Sequence, residues 1–450
     1  MKRIKLTTTQ IILLSFLLVI LFGSFLLALP ISAANGHPVP YIDALFTATT
    51  STCVTGLVTL PTFSTWSAFG QIVILILIQV GGLGVITAMT ALMLLLNRRL
   101  GIRDRLLIQD AFNLNTMSGL VKFVKNVLFG TLIVEGIGAL LYMPVFVPEF
   151  GAKGIWISVF NSVSAFCNAG IDIIAENSLC NYATNPLINI VTAALIILGG
   201  LGYIVWWDVL RVINHRSRRN HKTFRYLTLH SKIAITATAG LILAGAVLIF
   251  IFEYNNPLTI GGMSLFDKMQ ASFFQSVTTR TAGFASVPQE NLTNASAAVS
   301  VILMLIGGSP VGTAGGMKTV TAAVLVSSAI ATIKGKDSAT LFGRRISEDS
   351  IKKAIAVTVA FFAICTISTI LLLAASNAEA LDAVFEAVSA TATVGLSRNF
   401  TTSLTAFGKL VITVTMYFGR VGPISIAVAL GSKRESQNVI SEPTEEISIG

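Results

Sequence analysis

Four short segments of the chain carry a residue pattern that suits the binding of a dehydrated cation. Each ends in a glycine followed by a hydrophobic residue, at Gly56, Gly170, Gly283 and Gly395, and each has a phenylalanine ten residues before its glycine. Neighbouring glycines are roughly 113 residues apart. A helix that stops at such a glycine leaves carbonyl oxygens without helical partners, and a ring of carbonyls can replace the hydration shell of a cation. The pattern therefore predicts a cation filter assembled from four parts of the chain.

The predicted filter lies within segments 52–57, 166–171, 279–284 and 391–396. Its residues are Thr52, Cys53, Val54, Thr55, Gly56, Phe166, Cys167, Asn168, Ala169, Gly170, Thr279, Arg280, Thr281, Ala282, Gly283, Thr391, Ala392, Thr393, Val394 and Gly395. Their side chains differ, so we expect a pseudo-fourfold, asymmetric filter in which the backbone carbonyls carry the chemistry. Arg280 is the charged member, and we expect its side chain to point behind the filter and to pair with a carboxylate.

The composition indicates a membrane protein. Of the 450 residues, 54% are hydrophobic and 12% are charged, and the mean hydropathy is +0.79, whereas soluble domains contain about 25% charged residues. The net charge of +10 does not indicate nucleic-acid binding, because the basic residues cluster just after apolar runs. The four cysteines lack disulfide or metal spacing. The basic loop with His215, His221 and His230 is interpreted as solvated in preference to metal-binding.

The glycine segments lie between longer apolar runs. About a dozen helical residues precede each glycine turn, too few at ~1.5 Å per residue to cross a ~30 Å hydrocarbon core. The longer runs cover 9–29, 124–146, 231–252 and 354–375 upstream, and 68–96, 186–213, 297–333 and 403–431 downstream. The sequence therefore predicts an all-α integral membrane fold of four pseudo-symmetric helix–pore-loop–helix repeats, with eight transmembrane helices and four re-entrant pore helices around one pore.

The predicted organisation has six parts. They are a cytoplasmic N-terminus (1–8), repeat 1 (9–97), repeat 2 (121–214), repeat 3 (230–335), repeat 4 (351–432) and a cytoplasmic tail (433–450). The first apolar run also resembles a secretion signal, but its length of about 19 residues suits a span, and the first repeat needs this helix. Lys and Arg clusters between the repeats indicate the cytoplasmic side, so the re-entrant segments are expected on the opposite side.

The second apolar run of the third repeat is too long for one span. Residues 297–333 would extend about 55 Å as a helix, and the middle, 307–319, contains five glycines and a proline. Such backbone is tolerated at membrane depth only against protein or water. We therefore predict an intramembrane gate loop, with a static kink between two helix halves as the alternative. The predicted gate residues are Gly307, Gly308, Gly312, Gly315, Gly316, Lys318 and Arg420.

Arg420 lies at the equivalent depth of the fourth repeat, where a charge is costly and usually functional. We expect Arg420 to hold the gate loop and to repel cations while the loop is closed, with Lys318 as the alternative charge. Glu135 is either a partner of one of these cations or a packing feature. The Gly-Gly-Leu-Gly motifs at 81–84 and 199–202 are interpreted as helix packing alone.

Taken together, these motifs resemble the Trk/Ktr/HKT superfamily of potassium transporters, and most closely the bacterial Ktr membrane (ion-translocating) subunit. The resemblance covers residues 9–432 and is carried by residues 40–48, 54–57, 164–170, 280–284, 393–396 and 418–423. It implies potassium selectivity, with K+ at the filter carbonyls, because all four filter positions are glycine. It also implies an intramembrane loop at 307–319 and an arginine below the filter, at Arg420.

The same resemblance implies a cellular setting. The chain would form a homodimer in the bacterial plasma (inner) membrane, surrounded by lipid, with several spans and both termini in the cytoplasm. It would sit on a cytoplasmic nucleotide-binding ring of RCK type. That partner is expected to bind the nucleotide, since the chain has no Rossmann GxGxxG motif or P-loop of its own. Sodium stimulation is expected, and sodium as a second transported ion is left open.

Two other classes of function fit less well. A membrane-embedded enzyme would need paired acids, a zinc site or a nucleophile within the spans, and the sequence has no HExxH or GxSxG motif. An alternating-access transporter has broken helices in corresponding halves, whereas the glycine turns here recur four times. The sequence therefore predicts a pore and not an enzyme.

Overall fold

The computed structural model describes residues 7–95, 101–111, 119–214 and 223–422. Outside these ranges lie most of the predicted segment 1–8, the predicted tail 433–450, the end of repeat 4, and His215 and His221. In chain order the helices are α1 (Thr8–Leu27), α2 (Tyr41–Cys53), α3 (Thr62–Thr65), α4 (Ala68–Leu83), α5 (Val85–Leu95), α6 (Ile102–Ala111), α7 (Leu120–Phe150), α8 (Ala152–Phe166), α9 (Pro186–Leu201), α10 (Tyr203–Asn214), α11 (Thr223–Tyr226), α12 (Leu229–Glu253), α13 (Leu265–Thr278), α14 (Asn294–Leu305), α15 (Thr319–Ile333), α16 (Glu348–Ala375), α17 (Ala380–Ala392) and α18 (Ala406–Val421).

Among the described residues, four helices are individually long and apolar enough to cross a membrane. They are α1, α7, α12 and α16, and each corresponds to the first apolar run of a repeat. Only 22% to 33% of the residues in their apolar stretches are buried within the chain. Most of their apolar surface therefore faces outward, as is expected for helices whose surroundings are lipid.

The short helices α2, α8, α13 and α17 are the pore helices, with 13 to 15 residues each. Their phenylalanines fill the core in three repeats, where Phe46, Phe160 and Phe385 are fully buried. In the third repeat Phe273 is 38% exposed, and the next residue, Phe274, occupies the core position. The phenylalanine ten residues before the glycine is therefore the core side chain in repeats 1, 2 and 4. In repeat 3 the core side chain is the next residue along the chain.

The repeats contact one another in a closed ring. The second span of each repeat packs against the pore helix of the next repeat, through the pairs α4 with α8, α9 with α13, α14 with α17, and α18 with α2. Each pore helix also packs against the first span of its own repeat. The four pore helices therefore surround one axis in chain order.

The second spans of repeats 1 and 2 are broken, which corrects the prediction that their Gly-Gly-Leu-Gly motifs serve packing alone. The axes of α4 and α5 differ by 101°, and those of α9 and α10 differ by 94°. The breaks fall at Gly84 and Gly202, whose φ angles are +85° and +86°, values that favour glycine. The predicted packing is also present, since a Cβ on Gly81 would collide with the Thr52 carbonyl oxygen.

The second span of the third repeat is interrupted as predicted. Helix α14 ends at Leu305 and α15 begins at Thr319, with non-helical backbone between them. In the fourth repeat α18 ends at Val421, and its capping residue Gly422 has a φ of +92°. The second spans of the first three repeats are therefore interrupted, and in the third the interruption is a loop of more than ten residues. The boundaries of the four repeats stay a prediction.

A short hairpin follows α15 on the predicted cytoplasmic side. Its strands, β1 (Thr340–Leu341) and β2 (Arg344–Arg345), are antiparallel. Around it, Ala339 and Ile346 are buried against α15 and α16. The remaining short elements are 3-10 turns at Pro30–Ser32, Cys180–Tyr182, Gln289–Asn291 and Thr401–Ser403.

An ion pair closes the ring between the fourth and first repeats. The Lys409 ammonium on α18 lies 2.5 Å from a carboxylate oxygen of Asp43 on α2, and the two side chains are 16% and 7% exposed. Removing one partner of such a pair leaves a mostly buried, unpaired charge, which costs on the order of 3 kcal/mol.

We therefore expect Lys409→Met to lower the thermal unfolding temperature of the purified protein, and Asp43→Asn combined with Lys409→Met to recover part of the loss. Thermal unfolding in one detergent checks this prediction. An unfolding temperature for Lys409→Met equal to that of the unaltered protein would contradict it.

Candidate ion pathway

Each pore helix ends in the same backbone turn. The residue two positions before each glycine has a positive φ: 55° at Val54, 60° at Asn168, 66° at Thr281 and 51° at Thr393. The four glycines that follow also have positive φ. This conformation is unfavourable for β-branched residues, so surrounding contacts must impose it. The turn recurs in all four repeats although the side chains differ.

The four turns meet one another at their glycines. A Cβ placed on any of them would reach the carbonyl oxygen of the residue before the glycine of the next repeat. In order, Gly56 faces Ala169 at 2.5 Å, Gly170 faces Ala282 at 2.5 Å, Gly283 faces Val394 at 2.7 Å, and Gly395 faces Thr55. The fourth contact returns to the first repeat, so the glycines and these carbonyls form a closed ring with no space for a side chain.

Hydroxyl groups accept hydrogen bonds from backbone amides of three of the four turns, and the sequence interpretation missed them. The Thr50 hydroxyl accepts a hydrogen bond from the Gly56 amide (2.9 Å), and Ser389 accepts one from the Gly395 amide (3.1 Å). Ser164 accepts one from the Ile171 amide (3.1 Å). All three precede their glycine by six residues, so the repeat alignment contained the signal. The third repeat has Val277 at this position.

A cavity of about 360 Å³ lies on one side of the glycine ring and is lined by all four glycines. Its wall includes the carboxylate residues Asp172, Glu176 and Glu290. Acidic groups around a narrow opening raise the local concentration of cations. Cys180 also lines it, and its pKa is raised to about 12 by burial and by the Glu290 and Asp172 carboxylates, so this thiol stays neutral.

The predicted gate loop, 307–319, lies against the pore-helix ends of three repeats. In repeat 2, the Thr313 hydroxyl donates to the Phe166 carbonyl (3.0 Å). In repeat 3, the Gly315 amide donates to the Thr281 hydroxyl (3.1 Å). In repeat 4, a Cβ on Gly315 would collide with the Thr393 hydroxyl. The loop therefore lies directly next to the turns that form the glycine ring.

The loop and the break in the second repeat satisfy each other's backbone groups. The Ser309 amide donates to the Gly200 carbonyl (2.8 Å), the Thr313 amide donates to the Gly199 carbonyl (3.2 Å), and the Tyr203 amide donates to the Val311 carbonyl (3.0 Å). A helix break within the membrane leaves unpaired backbone groups that must find partners. Here the loop supplies them.

Three cationic side chains hold carbonyl oxygens of the loop. Arg420 donates to the Thr313 carbonyl (2.6 Å) and to the Gly81 carbonyl of the first repeat. Lys318 donates to Ala314 (2.6 Å), and Arg280 donates to Gly307 (2.9 Å). Within the described ranges, none of the three lies within ion-pair distance of a carboxylate.

The structure corrects the expected partner of Arg280. Its partners are the carbonyl oxygens of Gly307 (2.9 Å) and Thr238 (3.4 Å), and the prediction of a carboxylate is wrong. Backbone carbonyls are available here because the helix α14 has just ended and the carbonyl of Gly307 has no helical partner.

Glu135 lies behind the turn of the second repeat. Its carboxylate accepts a hydrogen bond from the Gln79 side-chain amide (3.3 Å) and lies 3.8 Å from the Cys167 sulfur. In the described part of the chain it pairs with neither Arg420 nor Lys318, so the packing alternative describes its position. The carboxylate connects α7 with α4 and with the predicted filter segment.

These features define a class of protein: a multi-pass membrane protein in which four re-entrant turns enclose a pathway with an acidic cavity on one side and a glycine-rich loop on the other. Residues 5–442 match the family model of TrkH, described as a cation transport protein. The chain belongs to the TrkH family of cation transport proteins. This membership confirms the predicted superfamily and the prediction that the chain is a transporter and not an enzyme.

Named relatives match over their whole length. The chain is 38% identical to the potassium/sodium uptake protein NtpJ of Enterococcus hirae, with 100% of this chain and 98% of that protein aligned. It is also 38% identical to the Ktr system potassium uptake protein B of Bacillus subtilis, again over 100% of this chain and 98% of that protein.

A solved structure has the same fold. The potassium transporter TrkH of Vibrio parahaemolyticus superposes with a TM-score of 0.74, covering 96% of this chain and 86% of that chain at 16% identity. The predicted fold class, an all-α integral membrane protein of four pseudo-symmetric repeats, is confirmed.

Proposed function

We propose that this chain is the potassium-translocating membrane subunit of a Ktr-type uptake system. The observation that carries the proposal is the closed ring of four glycine turns, in which each glycine touches a carbonyl of the next repeat. A ring of carbonyls suits a dehydrated monovalent cation. Potassium is favoured because relatives at 38% identity are named as potassium or potassium/sodium uptake proteins, and because the family resemblance implies potassium selectivity when all four ring positions are glycine.

In this proposal the filter consists of the five residues ending at each ring glycine, and their backbone carbonyls replace water around K+. Hydroxyl groups add to these ligands. The hydroxyls of Thr52, Thr55 and Thr393 are buried and have no hydrogen-bond partner among the described residues. A buried hydroxyl without a partner is costly, and an ion or its water satisfies it.

The gate of the proposed pathway is the loop 307–319. Its contacts with the pore-helix ends of repeats 2, 3 and 4 support this role, because an ion leaving the ring toward the loop meets it first. Arg420 is the residue that holds the loop, by its hydrogen bond to Thr313, and its charge opposes the passage of cations. Lys318, bonded to the loop carbonyl of Ala314, adds to that charge.

The proposed setting is the bacterial plasma membrane, with both termini in the cytoplasm and two copies of the chain on a nucleotide-binding ring of RCK type. The name of the Bacillus subtilis relative, a Ktr system protein, supports a partner subunit, and the distribution of basic residues supports the orientation. Exposed Lys334, Lys336, Arg344 and Arg345 lie around the hairpin that follows the gate repeat. In this proposal the nucleotide is bound by the partner subunit and not by this chain. Sodium stimulation of uptake is part of the proposal, and the name of the Enterococcus relative supports sodium as a second transported ion.

Potassium uptake by a bacterium that lacks its own potassium transporters tests the function. The full chain is expressed with a Ktr regulatory subunit, and uptake is measured at low external potassium with and without sodium. We expect potassium accumulation that rises with sodium, and little accumulation with an empty vector. Absence of uptake while the chain is present in the membrane in normal amounts would contradict the proposal.

The hydroxyl supports of the turns lead to a further prediction. Thr50→Val keeps the shape of the side chain but removes the hydroxyl that accepts the hydrogen bond of the buried Gly56 amide. An unsatisfied buried amide raises the free energy of the folded turn by about 1–3 kcal/mol. We expect the preference for potassium over sodium to fall several-fold, because the backbone of the first turn is no longer held in position at Gly56.

Thr50→Ser restores the acceptor and is expected to keep the preference of the unaltered protein. Competition of sodium with potassium uptake measures both variants. Equal preferences for Thr50→Val and Thr50→Ser, at equal amounts in the membrane, would show that the hydroxyl does not set the turn.

A further inference from the structure

Arg280 belongs to two parts of the pathway at once. Its backbone is part of the third filter segment, three residues before Gly283. Its guanidinium donates to the carbonyl of Gly307, the first residue of the gate loop (2.9 Å). The side chain is 6% exposed. One residue therefore joins the proposed filter to the proposed gate by a buried, charge-assisted hydrogen bond.

The next residue makes a second link of the same kind. Thr281 is the positive-φ residue of the third turn, and its hydroxyl accepts a hydrogen bond from the Gly315 amide near the end of the loop (3.1 Å). Gly307 and Gly315 are themselves in contact, since a Cβ on Gly307 would collide with the Gly315 carbonyl. The start and the end of the loop thus meet at one place, and Arg280 and Thr281 hold both.

A cationic side chain at this position of the filter segment occurs only in the repeat that carries the loop. The positions equivalent to Arg280 in the other repeats are Cys53, Cys167 and Ala392, and none of these side chains has a cationic group. Arg280 also has carbonyl partners and no carboxylate among the described residues. An ion pair would fix the guanidinium independently of the loop, whereas here its main partner is the loop itself.

We propose that Arg280 is a positioning residue that couples the third filter turn to the gate loop, so that potassium in the filter and the loop in its closed position stabilise each other. When the loop withdraws, the Arg280 guanidinium loses the Gly307 carbonyl as its hydrogen-bond acceptor. A buried guanidinium beside the filter that lacks this acceptor raises the free energy of the open state. Conversely, a filter turn distorted by loss of its ions moves the guanidinium away from Gly307. Such coupling is reciprocal by thermodynamic necessity.

The first experiment is a double-mutant cycle with Arg420, the other arginine that holds the loop. The full-length protein and the variants Arg280→Gln, Arg420→Ala and both together are reconstituted in liposomes, and potassium flux is measured per folded protein. We expect Arg280→Gln alone to raise flux about tenfold, because without the charge the bond to Gly307 is at most a neutral hydrogen bond, which is weaker than a charge-assisted one. In the Arg420→Ala background, where the loop is already released, we expect less than a twofold further change.

Arg280→Lys is the conservative variant. It keeps a cation and a donor for the Gly307 carbonyl, so its flux should lie between those of the unaltered protein and Arg280→Gln. It also keeps the proposal testable where Arg280→Gln folds poorly. Size-exclusion profile and thermal unfolding temperature establish that the compared proteins are folded.

The second measurement is hydrogen exchange of the segment 307–319 in potassium and in choline. We expect potassium to slow exchange of this segment several-fold in the unaltered protein, and the difference to disappear in Arg280→Gln. Potassium binding by Arg280→Gln is measured in parallel, so that a filter that has lost its ions is distinguished from a loop that has lost its link to the filter.

The inference rests on the proposed gate, and the outcomes separate the two. Arg420→Ala without any rise in flux would contradict the gate and with it the inference. A rise with Arg420→Ala, but the same fold-change from Arg280→Gln in both backgrounds, would overturn only the coupling. An equal effect of potassium on exchange in the unaltered protein and in Arg280→Gln would also overturn the coupling.

Discussion

Replacing Gly283 by serine is expected to lower the preference of the pathway for potassium over sodium by about tenfold or more. A Cβ at this position would lie 2.7 Å from the Val394 carbonyl oxygen of the fourth repeat, closer than a carbon atom can approach without a shift. The φ of +82° adds strain of about 1–3 kcal/mol for a residue with a side chain. The carbonyl must therefore move, and a filter that replaces hydration water depends on the positions of its oxygens.

Gly56→Ser should have the same effect, because its Cβ would lie 2.5 Å from the Ala169 carbonyl oxygen and its φ is +101°. Gly262→Ser is the matched control: Gly262 belongs to the third repeat, is exposed, and a Cβ at this position would have no neighbouring atom within 4 Å. Selectivity is measured by sodium competition with potassium uptake at equal protein amounts. Normal selectivity in both Gly56→Ser and Gly283→Ser would contradict the filter assignment.

The sequence was sufficient to locate the four turns, because a repeated motif is visible whatever its surroundings. The positive φ at Val54, Asn168, Thr281 and Thr393 falls on different residue types, so no single residue preference marked it; only the alignment of the repeats did. The interrupted third span was also predictable, since a stretch with five glycines cannot hold a lipid-facing helix. That these parts form a filter and a gate stays a prediction.

The breaks in the first two repeats were not predictable from local sequence. Gly-Gly-Leu-Gly within an apolar run is compatible with close packing and with a break, and the choice depends on which groups satisfy the freed carbonyls. In repeat 2 the gate loop donates hydrogen bonds to the freed carbonyls of Gly199 and Gly200. In repeat 1 Arg420 donates a hydrogen bond to the freed carbonyl of Gly81. These partners lie more than 100 residues away along the chain, so only the folded structure reveals them.

The hydrogen-bond partners of Arg280 could not be predicted from the sequence for a related reason. A buried cation is expected to pair with an acid, because an isolated charge is costly in a low-dielectric interior. In the structure, Arg280, Lys318 and Arg420 each donate a hydrogen bond to a carbonyl oxygen of the loop instead. A carbonyl holds a guanidinium less firmly than a carboxylate does. Contacts of this strength are compatible with the proposed release of the loop.

Removal of Arg420 is expected to raise potassium flux at least tenfold. The guanidinium joins three repeats, since it belongs to α18, donates to Thr313 of the loop and donates to Gly81 at the break of the first repeat. Each charge-assisted hydrogen bond contributes about 1.5–3 kcal/mol, and a loss of about 1.4 kcal/mol already shifts an equilibrium between closed and open loop tenfold. Arg420→Ala therefore favours the open loop and removes a positive charge from the pathway.

Flux through reconstituted full-length protein measures the effect, with Arg225→Ala as the control for loss of an exposed arginine on α11. We expect that control to behave as the unaltered protein. Unchanged or lower flux for folded Arg420→Ala would contradict the assignment of this residue to the gate.

Arg420→Gln separates the two ways in which the arginine can act. Glutamine has no charge but retains an N–H donor for the Thr313 carbonyl, so a pathway held closed by the hydrogen bond should conduct less with Arg420→Gln than with Arg420→Ala. A pathway held closed by electrostatic repulsion should conduct equally with both. Because the guanidinium bonds the loop and the first repeat at the same time, we expect the hydrogen bonds to dominate and Arg420→Gln to give the smaller increase.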